Sequence, residues 1–98
     1  MAIRSFADQG TSDIAHQIGS KLARRTLAPT LHERAYRKLV FIDNAQTLQD
    51  LANWKGLSLE KLKGDRKGQY SVRINDQYRI CFNWSGTDAL EVEIVDYH

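Results

Sequence analysis

Two arginines on neighbouring strands are the first side chains in this sequence that point to chemistry. Arg73 and Arg79 flank a short polar loop, and each lies in a stretch where apolar and polar residues alternate. A three-residue loop, residues 75–77, pairs Val72 with Ile80 and keeps both on the buried face of an antiparallel hairpin. The same register sets Arg73 directly opposite Arg79. Because like charges in opposed positions destabilise a hairpin, this pair calls for a nearby anion.

Two sources of negative charge would explain the arginine pair. Glu91 or Glu93 from the following strand would neutralise it within the fold, as a structural ion cluster. A bound phosphate would instead be held by two forked guanidinium donors, together with Lys63 or Arg66 from the preceding loop. We favour the phosphate because its geometry and charge suit two adjacent guanidinium groups, and both interpretations stay open at this point.

The last three residues of the sequence have side chains that can exchange or orient a proton. Asp96, Tyr97 and His98 follow a predicted strand, and alternation gives Tyr97 the parity of Arg73 and Arg79, with Asp96 and His98 on the other face. Such a tripeptide is a weak signal by itself. Beside an arginine pair it suits metal-free cleavage of a phosphodiester, in which cations stabilise charge on phosphorus while an imidazole or phenol moves the proton.

Charge is unevenly distributed over this half of the chain. Residues 61–84 hold two acidic side chains and six basic ones, namely Lys61, Lys63, Arg66, Lys67, Arg73 and Arg79, whereas residues 85–98 hold four acidic side chains and no lysine or arginine. The pattern indicates an anion site with a carboxylate near it, although a solvated charged loop beside an acidic strand gives the same counts. Residues 64–68 lack the preceding strand and following helix of a phosphate-binding loop, which disfavours nucleotide hydrolysis.

The elements that must position these groups change character along the chain. Residues 3–6 predict a short strand, and residues 12–22, 31–42 and 48–54 show apolar positions at helical spacing. Gly19 divides the first of these stretches, and Asp43 and Asn44 separate the other two. After Gly68 the pattern alternates, and three strands near residues 70–74, 78–84 and 90–94 predict an antiparallel meander with one buried face. The expected fold is α+β, with N-terminal helices packed on one face of a small antiparallel sheet.

Several side-chain positions follow from these elements. Ile14, Ile18 and Leu22 share one helical face, and Thr30 and Glu33 have the spacing of a capping box at the start of the next helix. His16 and His32 are interpreted as surface or helix-start residues. The buried faces are expected to hold Leu31, Ala35, Leu39 and Ile42, then Leu90, Val92 and Ile94, and the aromatic residues Phe41, Trp54, Phe82 and Trp84.

Composition limits the classes of function. The chain has 98 residues, 42% hydrophobic and 27% charged, with a net charge of +2, which fits a single domain over residues 1–98. Cys81 has no partner for a disulfide and no neighbouring histidine, and no Cys/His cluster has metal spacing, so no metal or other cofactor is expected. The longest apolar run has four residues and no signal-peptide core is seen, so we expect a cytoplasmic protein without membrane association.

Three segments resemble a known family. They are residues 62–69 (LKGDRKGQ), 71–82 (SVRINDQYRICF) and 92–98 (VEIVDYH), and the similarity extends to the opening IRSF and covers essentially the whole chain. These segments resemble the HigB-type toxins, or plasmid-maintenance killer proteins, of the RelE superfamily. The resemblance implies the RelE-like toxin fold and the toxin half of a bacterial type II toxin–antitoxin pair. It also implies metal-independent cleavage of messenger RNA on the ribosome, which inhibits translation.

The same resemblance implies partners. Toxins of this kind are neutralised by a HigA-type helix-turn-helix antitoxin encoded just downstream, and the complex binds operator DNA and represses its own operon. The second partner is the ribosome with its messenger RNA. An alternative within the superfamily is a non-catalytic toxin of the same fold that binds and inhibits DNA gyrase. The arginine pair and the Asp-Tyr-His end favour the nuclease, because a gyrase binder needs no aligned proton-transfer groups.

The resemblance finally implies the site. The family's active-site positions correspond to Lys63, Arg79, Asp96, Tyr97 and His98, and RNA or ribosome contacts are implied at Arg73, Arg66, Lys67 and Lys61. Some relatives carry a catalytic histidine three positions before the lysine, where this chain has Glu60. Either His98 carries more of the catalysis or Glu60 acts as the base, so the identity of the general base stays open.

Overall fold

The computed structural model describes residues 2–96, which form four α-helices followed by a four-stranded sheet. The helices are α1 (Gln9–Ala15), α2 (Lys21–Thr26), α3 (His32–Asn44) and α4 (Leu48–Asn53). The strands are β1 (Glu60–Lys61), β2 (Gln69–Arg73), β3 (Tyr78–Ser85) and β4 (Asp88–Asp96), and short 3-10 helices cover Pro29–Leu31 and Gly64–Arg66. The expected α+β fold is confirmed. Among the described residues, no helix has the length and apolar character to span a bilayer.

The sheet is an antiparallel meander in the order β1-β2-β3-β4. Val72 is paired with Ile80, and the Ile74 N–H donates to the Tyr78 carbonyl at 2.9 Å, so the predicted three-residue hairpin loop is confirmed. Asn75 stabilises the loop, because its Oδ1 accepts hydrogen bonds from two backbone N–H groups that follow it. Strand β1 is absent from the sequence prediction, since two residues are too few to show an alternating pattern.

Helices α1 and α2 are separate because the backbone reverses between them. The Asp8 carboxylate caps the start of α1, and Gln17 in the reversal has a φ of 58°. This reversal rotates α2 so that Ala23 is the residue buried in the core. Ile18 and Leu22 are instead 51% and 46% exposed, so the prediction that they share the buried face of Ile14 is wrong.

Contact between α1 and α2 depends on a glycine and a buried carboxylate. A Cβ at Gly10 would overlap the Thr26 side chain, so the close approach of the helices requires glycine there. The Asp13 carboxylate accepts hydrogen bonds from Ser20 Oγ at 2.6 Å and Gln9 Nε2 at 2.7 Å. These two hydrogen bonds, chiefly that from Ser20, hold the pKa of Asp13 below its ordinary value.

Helix α3 begins differently from the prediction. Pro29 opens a 3-10 turn that continues directly into α3, so Thr30 lies inside this turn and provides no capping hydrogen bond. Glu33 forms an ion pair with Arg37 one turn later, at 3.2 Å. The predicted capping box is therefore wrong, because proline already supplies the fixed φ that starts a helix. His32 is a helix-start residue, as predicted, and its Nε2 donates to carbonyls at the end of α2 at 2.7 and 3.2 Å.

The core lies between the helices and the inner face of the sheet. Its fully or nearly fully buried members include Ile14, Ala23, Leu27, Ala35, Leu39, Ile42, Leu51, Leu57, Val72, Ile80, Phe82 and Val92. The apolar stripe predicted along α3 is buried, apart from the half-buried Leu31. Phe82 is buried as expected, but Trp54 and Trp84 are only partly buried and Phe41 is 38% exposed. The prediction that Phe41 is buried is wrong, because this residue lies on the side of α3 that faces away from the sheet.

A bulge in β4 changes the face of its first residues. The pairs Cys81–Glu93 and Asn83–Leu90 enclose two residues of β4 against one of β3. Alternation therefore shifts by one position, since each residue added to one strand moves the following side chains to the opposite face. Ala89 is fully buried and Leu90 is only half-buried, so the prediction that Leu90 shares the buried face of Val92 is wrong.

The N-terminal segment runs along β4 and covers that edge of the sheet. Ile3 and Phe6 make isolated parallel bridges to β4 instead of the continuous strand that was predicted. Ser5 Oγ accepts a hydrogen bond from the Glu91 N–H at 2.8 Å, inside the bulge, where Glu91 has a φ of 53°. The first described residues and the last strand therefore form one unit.

Candidate active site

The arginine pair lies on the outer face of the sheet, which is the face opposite the helices. Arg73 is paired directly with Arg79, so the predicted register of the two side chains is confirmed. We define the outer face by the residues that share this orientation in neighbouring strands: Glu60, Ser71, Arg73, Arg79, Cys81 and Glu93.

Arg79 is held in place by three hydrogen-bond acceptors, with a carboxylate nearby. Its Nε donates to Ser71 Oγ at 2.7 Å, and its Nη2 donates to the Ser58 carbonyl and, at 3.4 Å, to the Ser71 carbonyl. Glu60 Oε1 lies 3.9 Å from Nη1. Arg79 is 9% exposed and Ser71 is fully buried. The guanidinium group is therefore fixed in one orientation before any ligand arrives, and we call this arrangement the Arg79 clamp.

The Arg79 clamp leaves one edge of the guanidinium group for a ligand. Within residues 2–96, Nη1 makes no hydrogen bond, and its ion-pair partner is the Glu60 carboxylate at 3.9 Å, beyond hydrogen-bond range. The Glu60 side chain is 57% exposed. An anion approaching from the solvent would reach Nη1 beside a carboxylate that is free to move aside.

Arg73 is placed differently. Its side chain is 44% exposed and forms an ion pair with Asp76 in the adjoining hairpin loop. Its backbone N–H donates to the Leu57 carbonyl at 2.7 Å, which ties the segment before β1 to the end of β2. Arg73 and Arg79 are thus neighbours with different surroundings, one exposed to solvent and one buried and clamped.

The carboxylates beside the two arginines are not Glu91 and Glu93, which the sequence suggested. Glu93 forms an ion pair with Arg66 at 3.3 Å, and Glu91 accepts a hydrogen bond from Ser5 Oγ at 3.3 Å. Neutralisation of the arginine pair by Glu91 or Glu93 is therefore wrong. Strand β4 approaches β3 from the other side, and the nearest carboxylates come instead from β1 and the hairpin loop.

The basic loop lies at the opposite end of β2 from Arg73. Lys61, Lys63 and Lys67 are exposed, and within residues 2–96 their ammonium groups make no ion pair or hydrogen bond. Four residues of β2 span roughly 13 Å, so the loop and the arginine pair are separated along the strand. Arg66 nevertheless reaches over the outer face and also donates to Gln69 Oε1 at 3.1 Å. A long side chain from this loop can therefore extend over the sheet.

Asp96 ends β4 at the same end of the sheet as the arginine pair. It is paired with Tyr78, the neighbour of Arg79, and so has the parity predicted for it. Its Oδ2 accepts a hydrogen bond from Gln77 Nε2 at 3.1 Å. Tyr97 and His98, the two other residues predicted here, lie outside the described residues.

Cys81 occupies the outer face beneath the charged side chains. Its thiol is 1% exposed, and burial raises its pKa above the ordinary value, with the Arg66 and Arg79 cations opposing the shift and Glu93 adding to it. A buried thiol with a raised pKa is a poor nucleophile. Among residues 2–96, no group of three His, Cys, Asp or Glu side chains is arranged to hold a metal ion.

Two residues of the Arg79 clamp, Ser71 and Ser58, were not predicted as site residues from the sequence. Ser71 lies two residues before Arg73, so its parity already placed it on the outer face, and a small hydroxyl between two alternating apolar residues was the available signal. Ser58 contributes its carbonyl from a backbone with a φ of 49°. A backbone acceptor in a loop leaves no trace in residue type, so no sequence signal marked it.

Comparison with known sequences identifies relatives over most of the chain. Residues 4–98 match the family described as the RelE-like toxin of the type II toxin–antitoxin system HigB. Toxin HigB-1 of Vibrio cholerae is 44% identical over 68 residues, which cover 68% of this chain and 72% of that protein. Endoribonuclease HigB of Proteus vulgaris is 35% identical over 66 residues, which cover 67% and 71% of the two chains.

Comparison with solved structures finds a similar fold in other toxins. The chain is similar to the YoeB–YefM complex from Staphylococcus aureus, with a TM-score of 0.60, 20% identity, and coverage of 100% of this chain and 97% of the other. It is also similar to a YoeB/ParE toxin from Agrobacterium tumefaciens, with a TM-score of 0.55, 17% identity and full coverage of both chains. At these identities the likeness concerns the fold.

Proposed function

This chain belongs to the RelE-like HigB toxins of type II toxin–antitoxin systems, and we propose that it is an endoribonuclease that cleaves messenger RNA on the ribosome without a metal. The observation that carries the proposal is the Arg79 clamp, in which a buried cation keeps one edge available at the outer face. The name of the Proteus vulgaris relative supports ribonuclease activity.

The proposed reaction uses the RNA's own 2′-hydroxyl as nucleophile. This oxygen attacks the adjacent phosphorus, the 5′-oxygen of the next nucleotide leaves, and the products are a cyclic phosphate and a 5′-hydroxyl end. Arg79, through Nη1, and Lys63 would stabilise the additional negative charge on the phosphoryl oxygens. A fixed cation is effective in this role because it does not have to be reoriented during the reaction.

Two protons move in this reaction, and the residues after β4 are the proposed carriers. One proton leaves the 2′-hydroxyl and one reaches the departing 5′-oxygen. We assign these transfers to His98 and Tyr97, with Asp96 orienting them. Glu60 is the alternative base, because its exposed carboxylate lies 3.9 Å from Arg79 Nη1, where the phosphate would bind.

The remaining cations of this half of the chain are proposed to bind RNA or the ribosome in the ground state. Arg73 is exposed, and its ion pair with Asp76 on the surface is weak enough to be exchanged for a phosphate. The exposed Lys61 and Lys67 would add salt-dependent contacts, and Arg66 would exchange Glu93 for a phosphate.

The proposed biological setting follows from the family. We propose that residues 1–98 act as one toxin domain in the cytoplasm, where the ribosomes are, and that a HigA-type helix-turn-helix antitoxin neutralises it. The complex would bind operator DNA of its own operon. Complexes between structurally similar toxins and their antitoxins support this assignment of a partner.

The test is induction of the protein in cells, followed by mapping of new messenger-RNA 5′ ends with translation active or blocked. We expect new 5′ ends in translated regions, lost when translation is blocked and lost in Arg79→Ala. The control Gln49→Lys changes an exposed residue of α4 and should cleave like the wild type. Growth arrest without new 5′ ends, together with damaged or relaxed DNA, would instead identify a gyrase inhibitor.

A further inference from the structure

Glu60 and Glu93 lie at the two ends of one row of side chains that crosses the outer face. Successive cross-strand pairs join them through two small residues of β2 and β3, Ser71 and Cys81. Glu93 accepts a hydrogen bond from Arg66 at 3.3 Å, whereas Glu60 Oε1 lies 3.9 Å from Arg79 Nη1. The two ion pairs therefore differ, because Glu93 is hydrogen-bonded to its arginine and Glu60 is attracted to its arginine by charge alone.

Glu60 combines a fixed backbone with an exposed side chain. Its Cα is paired with that of Ser71, and two residues earlier the Ser58 carbonyl accepts a hydrogen bond from Arg79 Nη2. The same segment therefore holds one nitrogen of the guanidinium group and presents a carboxylate to the other. Because the Glu60 side chain is 57% exposed and β1 is an edge strand, the carboxylate can rotate into solvent without meeting another strand.

A phosphate that binds Arg79 Nη1 competes with the Glu60 carboxylate. Both groups are negatively charged, and two anions at one edge of a guanidinium group repel each other. The carboxylate is attached to the protein beside Nη1, so its effective concentration there is high and a single phosphate from solution competes poorly. A phosphate whose neighbours along an RNA chain are also bound competes better, since those contacts raise its own effective concentration.

We propose that Glu60 is an exchangeable counter-ion of Arg79 that makes the site select RNA held at several points over free single-stranded RNA, an inference that rests on the proposed nuclease function. In the absence of substrate, the carboxylate neutralises the available edge of the guanidinium group. An RNA whose backbone is already fixed, by the ribosome or by Arg73 and the basic loop, displaces the carboxylate into solvent. Loose RNA makes too few contacts to do so, and Glu60 then keeps its place beside Arg79.

The geometry favours this role over a purely structural ion pair. The Arg79 clamp is complete without Glu60, because three acceptors from Ser58 and Ser71 already hold the guanidinium group. Glu60 adds negative charge at Nη1, the nitrogen that makes no hydrogen bond within residues 2–96. A general base would act differently, since its loss would slow proton removal and leave the affinity for an unreactive RNA unchanged.

The test measures the affinity for an RNA that cannot be cleaved. The probe is a fully 2′-O-methylated single-stranded oligonucleotide, which lacks the nucleophile of the proposed reaction and is titrated without ribosomes. Glu60→Gln and Glu60→Ala remove the charge beside Arg79. Glu33→Gln is the matched control, because it removes the same charge from an exposed carboxylate that pairs with Arg37 on α3, on the other side of the sheet. Each variant is also checked by thermal melting and assayed for cleavage on programmed ribosomes.

We expect both Glu60 variants to bind the oligonucleotide about three- to tenfold more tightly than the wild type, and Glu33→Gln to match the wild type. A gain in affinity cannot result from a damaged fold, so a merely structural role would not produce it.

Unchanged or weaker binding by the Glu60 variants would overturn the proposal, and a loss of cleavage with that unchanged affinity would identify Glu60 as the general base. Tighter binding by Glu60→Gln alone would show a new contact of the amide, and equal tightening by Glu33→Gln would show an effect of net charge; either result would also overturn it. Failure of the proposed function is distinguishable, because the wild type would then cleave no RNA on ribosomes, whereas the affinities still decide the role of Glu60.

Discussion

Replacing Ser71 by alanine tests whether the Arg79 clamp is what makes Arg79 effective. The substitution removes the Oγ that accepts from Nε at 2.7 Å, while the Ser58 and Ser71 carbonyls still hold Nη2. Both Ser71 and Arg79 are buried, so no bulk water replaces the lost acceptor. The guanidinium group would keep its charge but lose one of the contacts that fix its orientation.

The size of the effect follows from the lost hydrogen bond. A hydrogen bond to a charged group contributes about 1.5–3 kcal/mol. If that interaction is what positions Nη1 for the transition state, its loss lowers the cleavage rate by roughly 10- to 100-fold. RNA binding in the ground state should change little, because Arg73 and the basic loop remain intact.

The assay is single-turnover cleavage of messenger RNA on programmed ribosomes, measured with the affinity for those ribosomes and the melting temperature. Ser71→Thr keeps the hydroxyl and should retain most of the rate, and Ser85→Ala, at an exposed end of β3, is the matched control. A wild-type rate for Ser71→Ala in a folded protein would refute the reasoning. So would equal losses in Ser71→Ala and Ser71→Thr, which would trace the defect to packing.

Three further predictions concern other parts of the molecule. Arg79→Ala should lower the single-turnover rate on the order of 10²-fold, whereas Arg73→Ala should chiefly weaken ribosome binding and its salt dependence; equal small effects in both assays would contradict these roles. His98→Gln should abolish cleavage on programmed ribosomes with an unchanged melting temperature, since an amide cannot transfer a proton near neutral pH. Because its folded pKa is lowered, Asp13 stabilises the fold at neutral pH and this contribution is lost as the pH falls below about 4. Ser20→Ala should therefore lower the melting temperature more at pH 7 than at pH 3, and an equal shift at both would contradict the assignment.

Much of the sheet could be predicted because its pattern is local. The alternation around Val72 and Ile80, with a short polar loop between them, fixes a register in which Arg73 meets Arg79. The bulge could not be predicted from the local pattern, since the side chain that contacts it, Ser5 Oγ, accepts from the Glu91 N–H over 86 positions of sequence. The predicted orientation of Leu90 is wrong for this reason.

The helical half shows a different limit. Periodicity alone predicts that Ile18 and Leu22 lie on the same helical face as Ile14. This prediction is wrong because the backbone reverses at Gln17, so α1 has ended before the chain reaches Ile18. At the candidate site, residue type located Arg79, whereas the partners that clamp it depend on tertiary structure. The Ser58 carbonyl is such a partner, because any residue provides a carbonyl.

The pairing of the N-terminal segment with β4 also affects when the protein can complete its fold. The hydrogen bonds between Ser5 and Glu91 close a loop of 86 positions, and Arg4 is joined to Asp88 over 84. Contacts of such long range form late, because the entropy of loop closure opposes them until the intervening chain is organised. During synthesis, the first residues leave the ribosome long before β4 exists. The edge of the sheet is therefore completed only after β4 has been synthesised, and a nascent chain that ends before β4 lacks the partner of its N-terminal segment.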